Sequence, residues 1–581
     1  MTSANSVIAA LVANPAVILT VGALLCVFVP AALRRVFMLV FVAAGAAQLY
    51  RLGLGEFGAV TLFGETLTTL RIDPLARVFA VVFHIAAALN IIYAWHEKDR
   101  AQSFATLAYP AAALGGVLAG DLITLFVWWE LAAITSVFFV WAPGTRATYL
   151  SGLRYLSIQI LSGVLLLAAV VLIFRETDSL AFGEVGLRDA EGALKLSGLV
   201  LFLAFGIKSA FPLLHNWVQD AYPRASISGT IVLSIFTTKL AVYSLARAFP
   251  GTHELIYIGA VMTLFPIFFA LIENDLRKVL CYSINNQVGF MVVGIGVGTA
   301  ASLNGAVGYA FSNIIFESLL FMAVSAAMYR TGTSKATELG GLYRTMPLTM
   351  IYCVIGALSI SAFPLFAGFV TKGLIIDGVA GEHMFWIWLV MLFASAGVLE
   401  HAGIKIPYFT FFAHDSGKRP KEAPPMMLVA MTASAILCVG IGVFPEPLFA
   451  LLPYQDHIAG YDPYTPWHVI EQTQLLLFAV LAFALLIVWK WYPAEKALVN
   501  LDTDWFYRIP GRNLLAWAAG ATTALWNVIW RFLYGRAEAA IARIYAVHGP
   551  EGQLARSWPI GFMALWTAIV LGAVLILSFL A

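Results

Sequence analysis

The chain contains 581 residues, of which 61% are apolar and 11% charged, and its formal net charge is +2. This composition is typical of a polytopic membrane protein, and no soluble domain is needed to account for it. The charge gives no indication of a nucleic-acid partner. Metal and iron–sulfur sites are not expected either, since the cysteines lie in apolar runs without ligand spacing: Cys26, Cys281, Cys353 and Cys438.

Apolar runs of about 17 to 25 residues, the length needed to cross roughly 30 Å of hydrocarbon, recur along the whole chain. We therefore predict an all-α polytopic membrane protein. Sixteen spans are expected, near residues 14–32, 36–53, 74–95, 104–120, 122–142, 149–173, 197–214, 228–248, 254–273, 276–298, 301–329, 345–379, 384–412, 426–447, 469–490 and 558–580.

Lysine and arginine are distributed unevenly over the loops between these spans. Up to the fourteenth span, the odd-numbered loops and their flanking helix ends carry about twice as many as the even ones; Arg34, Lys98 and Arg146 are examples. The positive-inside rule therefore places the odd loops in the cytoplasm and both termini outside. In a bacterial inner membrane, outside means the periplasm or the exterior.

Two of the spans are interrupted by proline. The seventh contains Pro212 in KSAFPLLHNW, and the twelfth contains Pro364 and Gly368 in SAFPLFAGFVTK. Proline removes an intrahelical donor, and a broken helix at membrane depth is tolerated where it lines a cavity. The pentapeptide SAFPL occurs in both spans, five spans apart. This spacing predicts two halves of opposite topology, an arrangement found in transporters with inverted repeats.

The tail differs from the rest of the chain in composition. Residues 501–511 read as a polar loop, and Gly511–Val547 is rich in tryptophan, alanine and arginine. Its length and charge predict an amphipathic helix of roughly 50 Å that lies along the cytoplasmic membrane surface. A further tilted span is the alternative interpretation.

Ionisable side chains occur inside three spans of the first half, at Glu130, Lys208 and Lys239. A charged group at the bilayer centre costs about 2.5–3.5 kcal/mol even on lenient scales, so such residues usually line a wet path or face a counter-charge. A lysine beside an anion stays charged, whereas one left alone in a dry site loses its proton. We therefore predict that Glu130 and Lys208 handle protons together. The alternatives are a static ion pair or a lysine that extends to the membrane interface.

Similar residues follow the two helix breaks. His215 comes just after Pro212 and is expected either to relay protons or to cap the broken helix. In the second half, Lys372 follows the break of the twelfth span. Glu317 lies midway along the eleventh span and is a candidate acid partner for Lys372.

A third group of ionisable residues shares the thirteenth span. Glu400 and Lys405 are expected to pair loosely or to reach the cytoplasmic mouth, and His401 is a possible relay. His84 and Asp377 remain ambiguous, because either can lie near an interface. The buried groups together predict a hydrophilic axis across the middle of the protein, with half-channels to each face that the kinked helices gate.

Several of these stretches resemble a known family. KSAFPLLHNWVQDAYPRASISG, ENDLRKVLCYSINNQVGFM and SAFPLFAGFVTKGLI resemble the antiporter-like subunits shared by multisubunit monovalent cation/proton antiporters, respiratory complex I and membrane-bound hydrogenases. The resemblance covers roughly residues 70–450. Within the family, IKIPYFTFFAHDSGKRPKEAP most resembles the D-type subunit of the cation/proton antiporters.

The resemblance implies a fourteen-helix core with two inverted five-helix repeats, broken seventh and twelfth helices and a proton path along the membrane midplane. Four residues match the family's path: Glu130, Lys208, Lys239 and Lys372. The tail resembles the lateral helix and terminal span of the longest members, which is unusual for a D-type subunit. The implied domains are a three-span segment (1–100), two repeats (104–248 and 254–412), C-terminal spans (426–490) and a lateral helix with a terminal span (501–581).

One stretch departs from the family pattern. Where relatives often have HALFKALLF, this chain has NIIFESLLF, so Asn313 and Glu317 replace a histidine and a lysine. An anion in place of a cation reverses the local electric field on Lys372. Either the second half uses another charge partner, or its channel is modified.

The expected function is proton conduction within a multisubunit Na+/H+ antiporter of the bacterial inner membrane. Other membrane subunits, protons and monovalent cations are the expected partners, no cofactor is implied, and the chain is not expected to be an enzyme by itself. The alternatives are a proton-pumping subunit of complex I or a hydrogenase, and the membrane subunit that energises a bicarbonate uptake system. The chains that copurify with this one distinguish the three.

Overall fold

The computed structural model describes residues 14–62, 64–189, 191–491, 496, 500–553, 556 and 559–580. A helix forms at every predicted span, which confirms the helical multi-span architecture. Twelve helices in these ranges are long and apolar enough to cross a membrane. The N-terminus, which we expect outside, and residue 558 of the last predicted span lie outside the described residues.

The principal helices, in chain order, are α1 (Pro15–Cys26), α2 (Ala31–Leu52), α3 (Pro74–Tyr93), α4 (Arg100–Val117), α5 (Leu122–Trp141), α6 (Arg146–Thr177), α7 (Leu196–Lys208), α8 (Asn216–Ala221), α9 (Ile227–Ala248), α10 (His253–Ile272), α11 (Leu276–Val297), α12 (Ala300–Thr331), α13 (Pro347–Ile360), α14 (Ala367–Gly381), α15 (Phe385–Val398), α16 (Pro425–Val443), α17 (Pro466–Val488), α18 (Arg512–His548) and α19 (Ile560–Leu580). The two broken spans therefore appear as α7 with α8 and as α13 with α14.

The chain divides into two compact units, Met1–Asp502 and Thr503–Ala581. The second unit contains α18, which has 37 residues and is about 55 Å long at 1.5 Å per residue. Aromatic rings follow one another along α18, where the ring centroids of Trp526 and Trp530 are 6.2 Å apart. The helix forms close to its predicted bounds, whereas its position along the membrane surface stays a prediction.

A β-hairpin between α2 and α3 departs from the all-α expectation. Strand β1 (Gly55–Leu62) pairs antiparallel with β2 (Glu65–Ile72). The β2 sequence ETLTTLRI is rich in β-branched residues, and its Leu70 and Ile72 side chains are buried in the main hydrophobic core. The apolar-run analysis missed this segment because it is too short and too polar to be a span.

Three helices form the centre of the first unit: α9, α11 and α12 are buried over nearly all of their membrane-length stretches. The neighbouring α10 approaches α11 very closely. A Cβ atom on Gly289 of α11 would lie 2.6 Å from the backbone nitrogen of Thr263 in α10. Glycine at this position therefore allows the backbones to meet, as small residues do between membrane helices.

The two SAFPL segments share one backbone conformation. In the first, Ala210 and Leu213 have positive φ angles of 60° and 70°; in the second, Ala362 and Leu365 have φ angles of 57° and 75°. Left-handed backbone at a non-glycine residue is uncommon and costs energy, so its recurrence at equivalent positions is informative. The conformation supports the prediction that the two broken helices correspond to each other.

Candidate functional site

Lys208 is the last residue of α7, directly before the first break, and its side chain is fully buried. Its Nζ donates a hydrogen bond of 2.6 Å to the carbonyl oxygen of Trp129 and lies 4.2 Å from the Trp129 ring centroid. A carbonyl dipole and an aromatic face both attract an ammonium group. The lysine is thus solvated by protein groups at the site where sequence analysis placed it.

Glu130 is half-buried next to Trp129 on α5. Its Oε1 is buried and has no hydrogen-bond partner among the described residues, which also contain no ion pair within 4.0 Å between Glu130 and Lys208. Lys208 nevertheless binds the carbonyl oxygen of Trp129, the residue that directly precedes Glu130 in the chain. Gly163 of α6 provides the space for the carboxylate, because a Cβ there would overlap Oε1 of Glu130. The geometry brings acid and base near each other without locking them together.

Lys239 of α9 and Glu317 of α12 form a direct ion pair with an Nζ–Oε2 distance of 3.0 Å. Both side chains are buried, at 0% and 1% exposure, and Lys239 also donates to the carbonyl oxygen of Ser234. The expected pairing of Glu317 with Lys372 is therefore wrong. Glu317 instead joins the predicted second repeat to the predicted first, because α9 packs against α12.

Lys372 lies on α14, six residues after the break that ends with Phe366, and it is buried. Its Nζ donates to Ser395 Oγ at 3.0 Å and lies 4.4 Å from the ring centroid of Phe290. No carboxylate lies within 4.0 Å of this ammonium in the described part of the chain. Lys372 therefore resembles Lys208 in resting on an aromatic ring and a neutral oxygen.

The third group lies where α15 continues through a π-helical segment, Leu399–Ile404. Lys405 is buried, and its Nζ donates to three carbonyl oxygens at the end of α10, those of Ala270, Leu271 and Glu273, at 3.1, 2.7 and 2.8 Å. These carbonyls belong to the negative end of the helix dipole. The contacts of Lys405 are thus those of a helix cap.

The two neighbours of Lys405 on this segment are less constrained. Glu400 is half-buried. His401 is buried, its Nδ1 lies 2.7 Å from the carbonyl oxygen of Gly397, and its Nε2 has no hydrogen-bond partner in the described ranges. Both remain candidates for the path.

His215 lies just beyond the first break and is buried. Its Nε2 is 3.4 Å from Oδ2 of Asp502, and the same oxygen accepts a 2.8 Å hydrogen bond from the hydroxyl of Tyr282. Sequence analysis missed Asp502, because it treated residues 501–511 as a polar loop and no local pattern links positions 287 residues apart.

Buried polar side chains without protein partners accompany the charged groups. Asn90, Gln159 and Asn285 are completely buried, and both amide atoms of each lack a hydrogen bond within the described ranges. Buried polar groups are nearly always satisfied, and internal water is the usual partner where protein is not. We therefore expect ordered internal water beside these amides. No cluster of three metal-ligating side chains occurs in the described residues.

Comparison with known proteins identifies a matching family model, described as NADH:quinone oxidoreductase/Mrp antiporter, TM, over residues 119–397. The chain is similar to the D subunit of the Na(+)/H(+) antiporter of Bacillus subtilis (strain 168), with 27% identity over 403 residues, 66% of this chain and 78% of the relative. It is also similar to hydrogenase-4 component B of Escherichia coli (strain K12), with 25% identity over 510 residues, 78% of this chain and 74% of the relative.

A solved structure extends the likeness to nearly the whole chain. A chain of the membrane-bound sulfane sulfur reductase, an archaeal respiratory membrane complex, has a TM-score of 0.68 and 22% identity, and covers 97% of this chain and 99% of that chain. The fold is therefore shared, including its C-terminal part. The family match spans α5 to α15 and includes Glu130, Lys208, Lys239, Glu317 and Lys372. The central part of the chain, residues 119–397, thus matches the NADH:quinone oxidoreductase/Mrp antiporter transmembrane family.

Proposed function

We propose that this chain is the proton-conducting membrane subunit of a multisubunit monovalent cation/proton antiporter, with Na+ as the cation. One observation carries the proposal: four ionisable side chains inside the helical bundle are at most 1% exposed, namely Lys208, Lys239, Glu317 and Lys372. Charges buried in this way are expensive and mark ion or proton pathways. The similarity to the D subunit of an antiporter favours the antiporter over the other complexes of the family.

In the first half of the protein, Glu130 and Lys208 form a two-state element, in which Lys208 is either charged or neutral. Lys208 interacts with Glu130 without a locked ion pair, so a small movement of α5 or of the broken helix changes the counter-charge that Lys208 experiences. Because an ammonium is stabilised by a nearby anion and destabilised in its absence, such movement captures or releases a proton. The partnerless oxygen of Glu130 allows the carboxylate to move.

The centre and second half continue the axis. The Lys239–Glu317 ion pair connects the halves, and Lys372 provides a second buried base beside a break. Glu400 and His401 lie beyond it, with Lys405 anchoring that segment to the end of α10. We assign the proton path to Glu130, Lys208, Lys239, Glu317, Lys372, Glu400 and Lys405, with His215 and His401 as relays and Pro212, Pro364 and Gly368 at the hinges.

The proposed function also implies the membrane in which this chain resides and the subunits with which it assembles. The chain resides in a bacterial inner membrane with its N-terminus outside and its Lys/Arg-rich loops in the cytoplasm, as the positive-inside rule indicates. It acts with other membrane subunits and catalyses no reaction by itself.

The second candidate function is that of a proton-pumping subunit in a hydrogenase-like or complex I-like assembly. The similarity to hydrogenase-4 component B over 510 residues favours it. Copurifying iron–sulfur or flavin subunits would select this candidate.

Proton flux in everted membrane vesicles tests the assignment. Lys208→Ala and Glu130→Ala are expected to abolish Na+-dependent proton flux, because each removes one member of the two-state element, while the complex still assembles. Lys335→Ala is the matched control, since this lysine is 54% exposed and pairs with the surface residue Glu338. Normal flux in both channel variants would reject the proposed path.

A further inference from the structure

The segment after α17 returns to the core and contacts the first helix break. Asp502 is 9% exposed and lies within the first unit. Its Oδ2 accepts a hydrogen bond from Tyr282 on α11 and lies 3.4 Å from His215 Nε2. Two residues earlier, Asn500 Nδ2 donates to the carbonyl oxygen of Ile272 at the end of α10. The segment is therefore fixed at both Asn500 and Asp502.

This contact lies at the end of the first unit where basic residues concentrate. The α10–α11 connection carries the Lys278–Glu273 ion pair at 2.7 Å, and Lys278 Nζ lies 5.9 Å from the Tyr282 ring. The short helix that follows His215 ends near Asp220, which binds Arg154 at 2.8 Å. By the positive-inside rule this is the cytoplasmic end.

We propose that Asp502 is a proton-carrying residue at the cytoplasmic mouth of the first half-channel and delivers protons to His215. The inference rests on the proposed function. His215 Nδ1 has no partner among the described residues, whereas Nε2 faces Asp502. When one ring nitrogen of a histidine faces an acid and the other has no hydrogen-bond partner, the ring can accept a proton at the first nitrogen and release one from the second.

The proton transfer balances without a further reactant. The step begins with His215 neutral and its proton on Nδ1. The carboxylic acid of Asp502 gives its proton to Nε2, the imidazolium releases its Nδ1 proton into the channel, and water reprotonates the carboxylate. Rotation of the imidazole ring or proton exchange with water then restores the Nδ1–H form, which can accept the next proton at Nε2. Tyr282 keeps its proton and holds the carboxylate in place by donating a hydrogen bond. The imidazole ring of His215 also packs against the apolar ring of Phe265, with 4.7 Å between the two ring centroids.

A purely structural anchor is the rival explanation, and three variants of the full chain in its complex separate the two. Asp502→Asn keeps the shape and hydrogen bonding but carries no proton, so Na+-dependent flux per assembled complex should fall at least tenfold. Asp502→Glu should retain at least half of the flux. Asn500→Ala removes the other attachment and keeps the acid, so its flux should stay within twofold of wild type.

Chemical rescue provides a readout that an anchor would not affect. Flux through Asp502→Ala should recover severalfold with millimolar formate, a small carboxylic acid, and not with chloride. The inference is overturned if Asp502→Asn keeps full flux, if Asn500→Ala falls in parallel with it, if formate has no effect, or if neither Asp502 variant assembles. Normal flux in both Lys208→Ala and Glu130→Ala would instead reject the proposed function, so the two failures are distinguishable.

Discussion

Replacing Glu317 by glutamine is expected to destabilise the protein by about 3–5 kcal/mol, because it leaves the buried ammonium of Lys239 without its counter-charge. The pair has an Nζ–Oε2 distance of 3.0 Å, and neither side chain is more than 1% exposed. At an effective dielectric constant near 20, the Coulomb attraction at this distance is about 5–6 kcal/mol. In the variant, Lys239 keeps its hydrogen bond to the neutral carbonyl oxygen of Ser234.

A double-mutant cycle measures the interaction. Lys239→Met alone leaves the buried Glu317 carboxylate without its counter-charge and should lower the free energy of unfolding by a similar amount. The double variant removes both charges. We therefore expect the double variant to cost at least about 2 kcal/mol less than the sum of the two single variants. Denaturant unfolding of the detergent-solubilised protein, followed by tryptophan fluorescence, gives the three free-energy differences.

Glu338→Gln is the matched control, because it removes the same chemical group from the Lys335–Glu338 pair, whose side chains are 54% and 46% exposed. Exposed pairs contribute about 0–1 kcal/mol, so this variant should unfold close to wild type. The reasoning is refuted if Glu317→Gln unfolds like the control, or if the single changes add to within about 0.5 kcal/mol.

Two further predictions concern the space around Glu130 and the tail. Gly163→Ala should lower proton flux severalfold without removing any charge, since its Cβ would overlap the Glu130 carboxylate. Gly440→Ala is the control and should leave flux unchanged, because a Cβ added to this helical glycine meets no neighbouring atom within 4 Å. Deleting Thr503–Ala581 keeps Asp502 and should weaken subunit association, measured on native gels, more than it lowers proton conduction by the complexes that still assemble. Normal association would contradict the prediction that the tail is a lateral helix that holds subunits together.

Local sequence pattern was sufficient to predict the helical spans, the two breaks and the burial of Lys208, Lys239, Glu317 and Lys372. A run of apolar residues of bilayer length forms a helix wherever it occurs, because the backbone must satisfy its own hydrogen bonds in lipid. The repeated SAFPL with its proline then sets the breaks beside Lys208 and Lys372. The resemblance to the family also follows from motifs that are contiguous in the chain. The comparisons confirm it.

Only the tertiary structure decided which charges meet. Glu317 pairs with Lys239 instead of Lys372, and Asp502 contacts His215 across 287 positions of sequence. Contacts of this kind depend on which helix faces pack together, and packing is set by residues far apart in the chain, such as the glycine that brings α10 against α11. The sequence alone thus determined the fold class and the inventory of buried acids and bases, whereas the folded chain determined their partners.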